Sequence, residues 1–202
     1  VFSLLSGCIS GSSDKDYPKE IPASLTELRL GKIYAARIKP GKDGGCSIQC
    51  VYRLEAPYSE VWKQKTKFDN LTGTSGTITE SKIISRTPEK IVYEAKNPQL
   101  SKWLKTQINI DVKNLVIEIL LLNPDEMGMI FMNSKVKLKP DGHGTIVYWR
   151  NDLSLMLWPD SLAASIMLPQ MKETALEDCR RFKQIMKLKR HKPHPAYINP
   201  RI

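Results

Sequence analysis

The sequence predicts an α+β fold in which a curved antiparallel sheet of six to seven strands wraps around one long C-terminal helix. Three observations predict it. From Cys46 to Leu157 most segments are of β type, and short turn-rich joints separate them. Short joints make antiparallel pairs, because a parallel crossover needs a dozen or more residues. The cleanest segments are apolar on one side only, so one face of the sheet needs a cover. One long apolar stripe of helical period, Met171 to Met186, stands near the C-terminus and supplies that cover.

The elements follow in order. Ile48, Cys50, Tyr52 and Leu54 alternate with Ser47, Gln49, Val51 and Arg53, the period-two pattern of a half-buried strand. Ala56-Pro57 ends it, and Pro57 opens a short helix over residues 58 to 65, where its missing N–H costs nothing. Phe68 to Gly73 breaks that helix. β-type segments then run from Thr77 to Ser85, Lys90 to Ala95, Trp103 to Val112, Leu115 to Leu122, Met129 to Lys139 and Thr145 to Leu157. Their joints carry turn chemistry, as in Asn123-Pro124-Asp125-Glu126 and Pro140-Asp141-Gly142-His143-Gly144. Ile108, Ile110 and Val112 face one way. So do Ile130, Met132, Ser134, Val136 and Leu138, opposite Asn133, Lys135, Lys137 and Lys139.

Asp160-Ser161 caps a short helical piece that ends near Leu168. Pro169 then kinks the helix or starts a new one. Beyond it Met171, Ala175, Leu176, Cys179, Phe182, Ile185 and Met186 recur at spacings of three and four. Twenty residues span about 30 Å, enough to cross a whole sheet, yet a helix about 10 Å wide cannot fill the hollow of six or seven strands. The remaining volume is either plugged by large side chains or held open for a ligand. Seven methionines, all from Met127 onward, either fill gaps in a core or line a surface that adapts to varied apolar ligands.

Strand, short helix, antiparallel strands and a long terminal helix resemble, over residues 46–188, the helix-grip domains of the START and polyketide-cyclase (SRPBCC) superfamily. Tyr52-Arg53-Leu54-Glu55-Ala56-Pro57-Tyr58-Ser59-Glu60-Val61-Trp62 is similar to that superfamily's first strand and its Ala-Pro-x-x-x-Val-Trp opening helix. The resemblance implies an apolar cavity between sheet and helix and no particular reaction. The expected cavity residues are Ile48, Cys50, Tyr52, Ile110, Ile130, Met132, Val136, Trp149, Leu153, Met171, Ala175, Cys179 and Phe182. The expected function is binding or carriage of a lipid, isoprenoid or polycyclic compound. The alternatives are a cyclase- or dehydratase-like enzyme using Arg150, Asp152 or Tyr148, and an interaction module whose cavity is plugged.

Arg150 and Asp152 share the strand face opposite Trp149 and Leu153. Turned inward they would anchor a ligand headgroup; turned outward they form a surface ion pair. No Ser–His–Asp or Cys–His arrangement suggests itself. His143 lies in a turn, and His191 and His194 stand in a Pro-rich tail with no ligating neighbours, so neither a metal nor a cofactor is expected. Cys46 and Cys50 are four residues apart on one strand, about 13 Å, which is too far for a disulfide. Cys179 either meets one of them across the core or leaves three buried thiols.

The ends carry their own signals. Leu5-Ser6-Gly7-Cys8 resembles a bacterial lipobox with Cys8 as the lipidated residue, and an apolar run precedes it. Residues 1–8 therefore read as the remnant of a lipoprotein signal, and 9–45 as a polar tether and linker with some added structure, including a short strand over Leu28 to Tyr34. Residues 189–202 form a basic, Pro-containing tail. The 31 Lys+Arg exceed the 21 Asp+Glu and give a net charge of +10. The basic residues favour an anionic membrane surface, with no specific nucleic-acid partner expected. The expected location is a lipid anchor in a bacterial membrane, with the domain facing the periplasm or cell surface. Apolar residues at 41% exclude a disordered chain, and no apolar run reaches the roughly 18 residues of a membrane span.

Overall fold

The structure, a computed structural model, describes residues 23–40, 44–68, 79–97, 102–157 and 159–190. The lipobox-like segment with Cys8, most of the expected tether and the tail beyond Arg190 lie outside the described residues.

The first described element is a helix, α1 (Leu25–Arg29), where the sequence suggested a strand from Leu28. The reason is local. Ser24 and Glu27 stand at capping-box spacing, and the Ser24 hydroxyl accepts the Glu27 N–H at 3.5 Å. At the other end Gly31 adopts φ +87°, which lets Gly31 N–H bond Leu28 O and Lys32 N–H bond Glu27 O, both at 3.0 Å. This double closure needs a residue tolerant of left-handed backbone after the helix, and Gly31 supplies it. Strand β1 (Tyr34–Ile38) begins only after the turn.

Seven further strands follow: β2 (Cys46–Leu54), β3 (Glu80–Arg86), β4 (Lys90–Asn97), β5 (Lys102–Asp111), β6 (Val116–Leu121), β7 (Met129–Asp141) and β8 (Gly144–Leu155). Helix α2 (Tyr58–Lys65) separates β2 from β3, and α3 (Asp160–Arg190) closes the chain. The single sheet has the order β1-β2-β8-β7-β6-β5-β4-β3, antiparallel throughout. Strands β3 to β8 form an unbroken meander, and β8 returns to pair with β2. The sheet thus has eight strands, the addition to the expected six or seven being β1 at its edge.

Helix α3 runs 31 residues, about 46 Å at helical rise, straight through Pro169. It does not lie across the whole sheet. Its contacts concentrate on β2, with β1 and β8 beside it. Met171, Ala175 and Phe182 are buried there against Cys46, Ile48, Cys50, Tyr52 and Leu54 of β2. Ala163, Ala164 and Ala175 let helix and sheet approach closely. Leu176 was expected in this stripe but stands 39% exposed. At 100° per residue it is about 140° around the helix from Met171. A second, smaller core of Phe68, Ile91, Ile108 and Ile117 fills the sheet's far side under Trp62 of α2.

Candidate functional site: the concave face of the sheet

Pairing registers fix which side chains share the concave face. One row across the sheet is Ile91, Ile108, Ile119, Ser134, Asn151 and Ile48; the next is Ile110, Ile117, Val136, Trp149 and Cys50. The rows are filled unevenly. Under α3 the inward side chains of β2 are closed off from solvent, with Ile48 and Cys50 at 0%. Toward the middle of the sheet the inward apolar residues Ile119, Met132, Val136 and Trp149 are only half-buried. Met167 and Leu168 on the first half of α3 are likewise half-buried against the same core. One helix packed over one side of an eight-strand sheet leaves these central positions incompletely covered, between the core under α3 and the smaller core of Ile91, Ile108 and Ile117.

The floor of the hollow is polar at one point. The Trp149 indole N–H is shared between Ser134 Oγ at 2.9 Å and Asn151 Oδ1 at 3.0 Å, while Asn151 itself is 1% exposed. Thr106 is buried on the same face and bonds Tyr93, whose hydroxyl burial pushes above the usual tyrosine value. Among the described residues, the concave positions of β4 to β8 between the sheet's two rims hold no carboxylate, histidine or ammonium group. A space of about 230 Å³ opens at one end of this face, lined by Trp62, Thr66, Ile91 and Ile110 together with Arg86 to Pro88 and Val112.

The packed side of the hollow is locked by a polar clamp. Tyr52, fully buried, donates its hydroxyl to Asp178 Oδ2 at 2.6 Å, and Lys65 at the end of α2 pairs with the same oxygen. Burial and the adjoining Asp178 carboxylate hold the Tyr52 hydroxyl well above its ordinary pKa. Burial likewise pushes the Cys50 thiol up to about 12. Cys46, Cys50 and Cys179 are thiols with no disulfide between them, and the Cys179 thiol donates to Arg53 O at 3.6 Å. Among the described residues, the concave positions of β4 to β8 offer no acid–base pair, and the titratable groups of the clamp are already bonded to one another. Its chemistry is that of enclosure with a small hydrogen-bonding patch.

The expected cavity residues divide into groups. Ile48, Cys50, Tyr52, Leu153, Met171, Ala175 and Phe182 form the close-packed core under α3. Met132, Val136, Trp149 and Cys179 are half-buried against that core, and Ile110 against the smaller one. Ile130 is 59% exposed. A bulge between Met129 and Phe131 breaks the alternation that would have carried Ile130 inward. Arg150, Asp152 and Tyr148 lie on the opposite, convex face, so neither the polar anchor nor the acid–base groups expected of them reach the hollow. There Arg150 forks onto Asp152 at 2.8 to 3.0 Å, and Ser47 bonds both. Beside them the amide of Gln49 is buried with neither its oxygen nor its nitrogen bonded. The sequence reading missed Tyr93, Thr106, Ile119 and Asn151. Their signal was present in strand parity, since Asn151 shares its face with Trp149 and Leu153.

Neither a protein-family model nor a curated protein matches this chain. Solved structures do. A START superfamily protein from Mycobacterium smegmatis superposes with a TM-score of 0.58 at 14% identity, over 70% of this chain and 99% of that one. A STAR-related lipid transfer protein from Xanthomonas axonopodis gives 0.55 at 13% identity, over 75% and 93%. The di-domain ARO/CYC BexL of the BE-7585A biosynthetic pathway gives 0.53 at 11% identity, over 70% of this chain and 47% of that one. Identities this low carry the architecture alone, and the architecture agrees with the geometry above: this chain has the START/SRPBCC helix-grip fold.

Proposed function

We propose that this protein binds and carries a hydrophobic ligand, a lipid or another largely apolar molecule, in the hollow between β4–β8 and the first half of α3. One observation carries the reading: inward-facing apolar side chains that are half-buried surround a floor without charge. An apolar body displaces water from Ile119, Met132 and Val136, each gaining about 25 cal/mol per Å² covered. A single polar group on the ligand meets the Trp149–Ser134–Asn151 patch and fixes its orientation. The lipid-transfer protein among the structural neighbours supports the class of ligand. Lipidation at Cys8 and the basic tail after Arg190 belong to the same proposal. They would keep the domain at a membrane facing the periplasm, where such a ligand is supplied.

The test is organic extraction and mass spectrometry of protein purified without detergent, with Ile119→Trp as the comparison. Ile119 is half-buried, so the larger side chain enters the hollow and leaves the packed core alone. Near-stoichiometric lipid or isoprenoid in the wild type, lost in the folded variant, is the expected result. A clean extract from both, with no uptake of added fatty acid or phospholipid, overturns the proposal.

A further inference from the structure

A second concave feature lies on the other side of α3, away from the hollow. It is a pocket of about 180 Å³ between α1 and the second half of α3. Its lining is apolar at Leu28, Ile33, Leu176 and Cys179 and carries Glu55, Arg29 and Arg53, both paired with Asp141, and the cations Arg180 and Lys183. Lys183 is exposed and takes part in no ion pair among the described residues, and Arg180 reaches only Glu173, at 3.7 Å. The rim continues along the helix. Lys172, Leu176, Arg180, Lys183 and Lys187 fall within an arc of about 80° at helical periodicity, and all are exposed.

The lip of the pocket is apolar. Leu30 closes α1 with 82% of its surface in solvent, between the lining residues Arg29 and Gly31. The helix that carries it is tied to the sheet. Arg29 bonds both Asp141 oxygens, at 2.6 and 3.1 Å, and Arg53 bonds one of them at 2.8 Å, which ties α1 to the β7–β8 hairpin. A site for a free anion has no use for a fixed leucine projecting beside its cations. A cationic pocket with an apolar knob at its lip complements a layer of acidic headgroups above acyl chains.

We propose that this face docks on an anionic lipid bilayer, with a lipid phosphate seated at Arg180 and Lys183 and Leu30 entering the acyl boundary. The inference does not depend on what the hollow holds, because the two sites lie on different sides of α3. It adds to the terminal anchors a folded surface that sets how the domain is oriented at the membrane.

The test is sedimentation of the full chain with phosphatidylcholine vesicles, with and without about 30 mol % phosphatidylglycerol. Arg180→Glu with Lys183→Glu should weaken binding to the anionic vesicles by about tenfold or more. Lys90→Glu with Lys113→Glu, an equal charge change on exposed residues of β4 and of the β5–β6 turn, should change it less than about threefold. Leu30→Ser, an exposed substitution that leaves the core intact, should weaken binding severalfold. Equal losses in the two charge-reversed pairs, or none in either, overturn the proposal. So does unchanged binding of Leu30→Ser while inorganic phosphate competes, which would make the pocket a site for free anions. Preferential binding of an oligonucleotide through Arg180 and Lys183 overturns it as well. Uptake of hydrophobic ligand, measured on the same variants, should stay at the wild-type level, so failure here is distinguishable from failure of the carrier reading.

Discussion

Asp141 shows how one side chain can tie a short helix to the sheet beside it. It accepts from Arg29 of α1 and from Arg53 of β2, and its carboxyl is only 9% exposed. The hydrogen bonds from Arg29, and next from Arg53, depress its pKa to about 2. An unfolded aspartate titrates near 4, so the folded protein favours the ionised form. The resulting stability is complete above about pH 4 and is lost as pH falls toward 2. Replacing Asp141 by Asn should therefore destabilise the protein at neutral pH, as measured by urea unfolding. The gap to wild type should close as pH falls through that window; a gap independent of pH would mean the pairing contributes nothing through its charge. At the opposite end of β2, Gly45 constrains the chain by shape. It has φ +75°, and a Cβ there would sit 2.6 Å from Leu153 O, so the chain entering β2 accepts only glycine without moving the backbone of β8.

Elements, more than single residues, decide how the hollow is framed. Helix α3 is anchored by Met171, Ala175 and Phe182 on β2 and, in its second half, by the Tyr52–Asp178–Lys65 clamp. Before Pro169, Ala163 and Ala164 are buried in the same core, whereas Met167 and Leu168 are only half-buried. The clamp joins β2, α2 and α3 through one carboxylate, so Asp178→Ala leaves the buried Tyr52 hydroxyl and the Lys65 ammonium without their partner. The expected cost is about 1–3 kcal/mol of unfolding free energy. Tyr52→Phe in the Asp178→Ala background should recover part of that loss, because it removes the stranded hydroxyl. No recovery would show that the hydroxyl bond is energetically idle. The Pro169 pattern in the sequence left a kink or a new helix open. Packing on β2 decided for one continuous helix, because the segments on both sides of Pro169 bury residues in the same core.

The whole molecule is uneven in stability, and the unevenness follows the sheet. The β2–β8 centre is covered by α3 and closed to solvent, whereas every described side chain of β3 is exposed at the edge. β3 is held by its ladder to β4 and by surface ion pairs such as Lys96–Glu80 at 3.1 Å, a class that contributes little. Amide exchange should therefore be fastest in β3 and slowest in β2 and β8. Uniform protection across the sheet would contradict the picture of a closed β2–β8 centre and an exposed β3 edge. The carrier reading rests on the incompletely covered positions at the middle of the sheet, since a ligand can enter only where packing is incomplete.

Much of this was legible in the sequence. Strand alternation from Cys46 onward, turn chemistry between segments and the stripe from Met171 to Phe182 are local consequences of side-chain period, and they determined the α+β order and the helix-grip resemblance. They also placed Met132, Val136, Trp149 and Leu153 on one face. The sequence did not determine α1, whose Ser24–Glu27 box and Gly31 closure compete with an equally apolar strand pattern. Nor did it determine the exposure of Ile130, because a bulge shifts parity without leaving a mark in residue type. The side taken by Arg150 and Asp152 needed tertiary structure as well. Parity says only that they oppose Trp149, and the burial of Trp149 and Leu153 toward α3 turned the pair outward. The pocket between α1 and α3 was the least legible feature. Its cations come from residues 29, 53, 180 and 183, and only the folded chain brings such distant positions together.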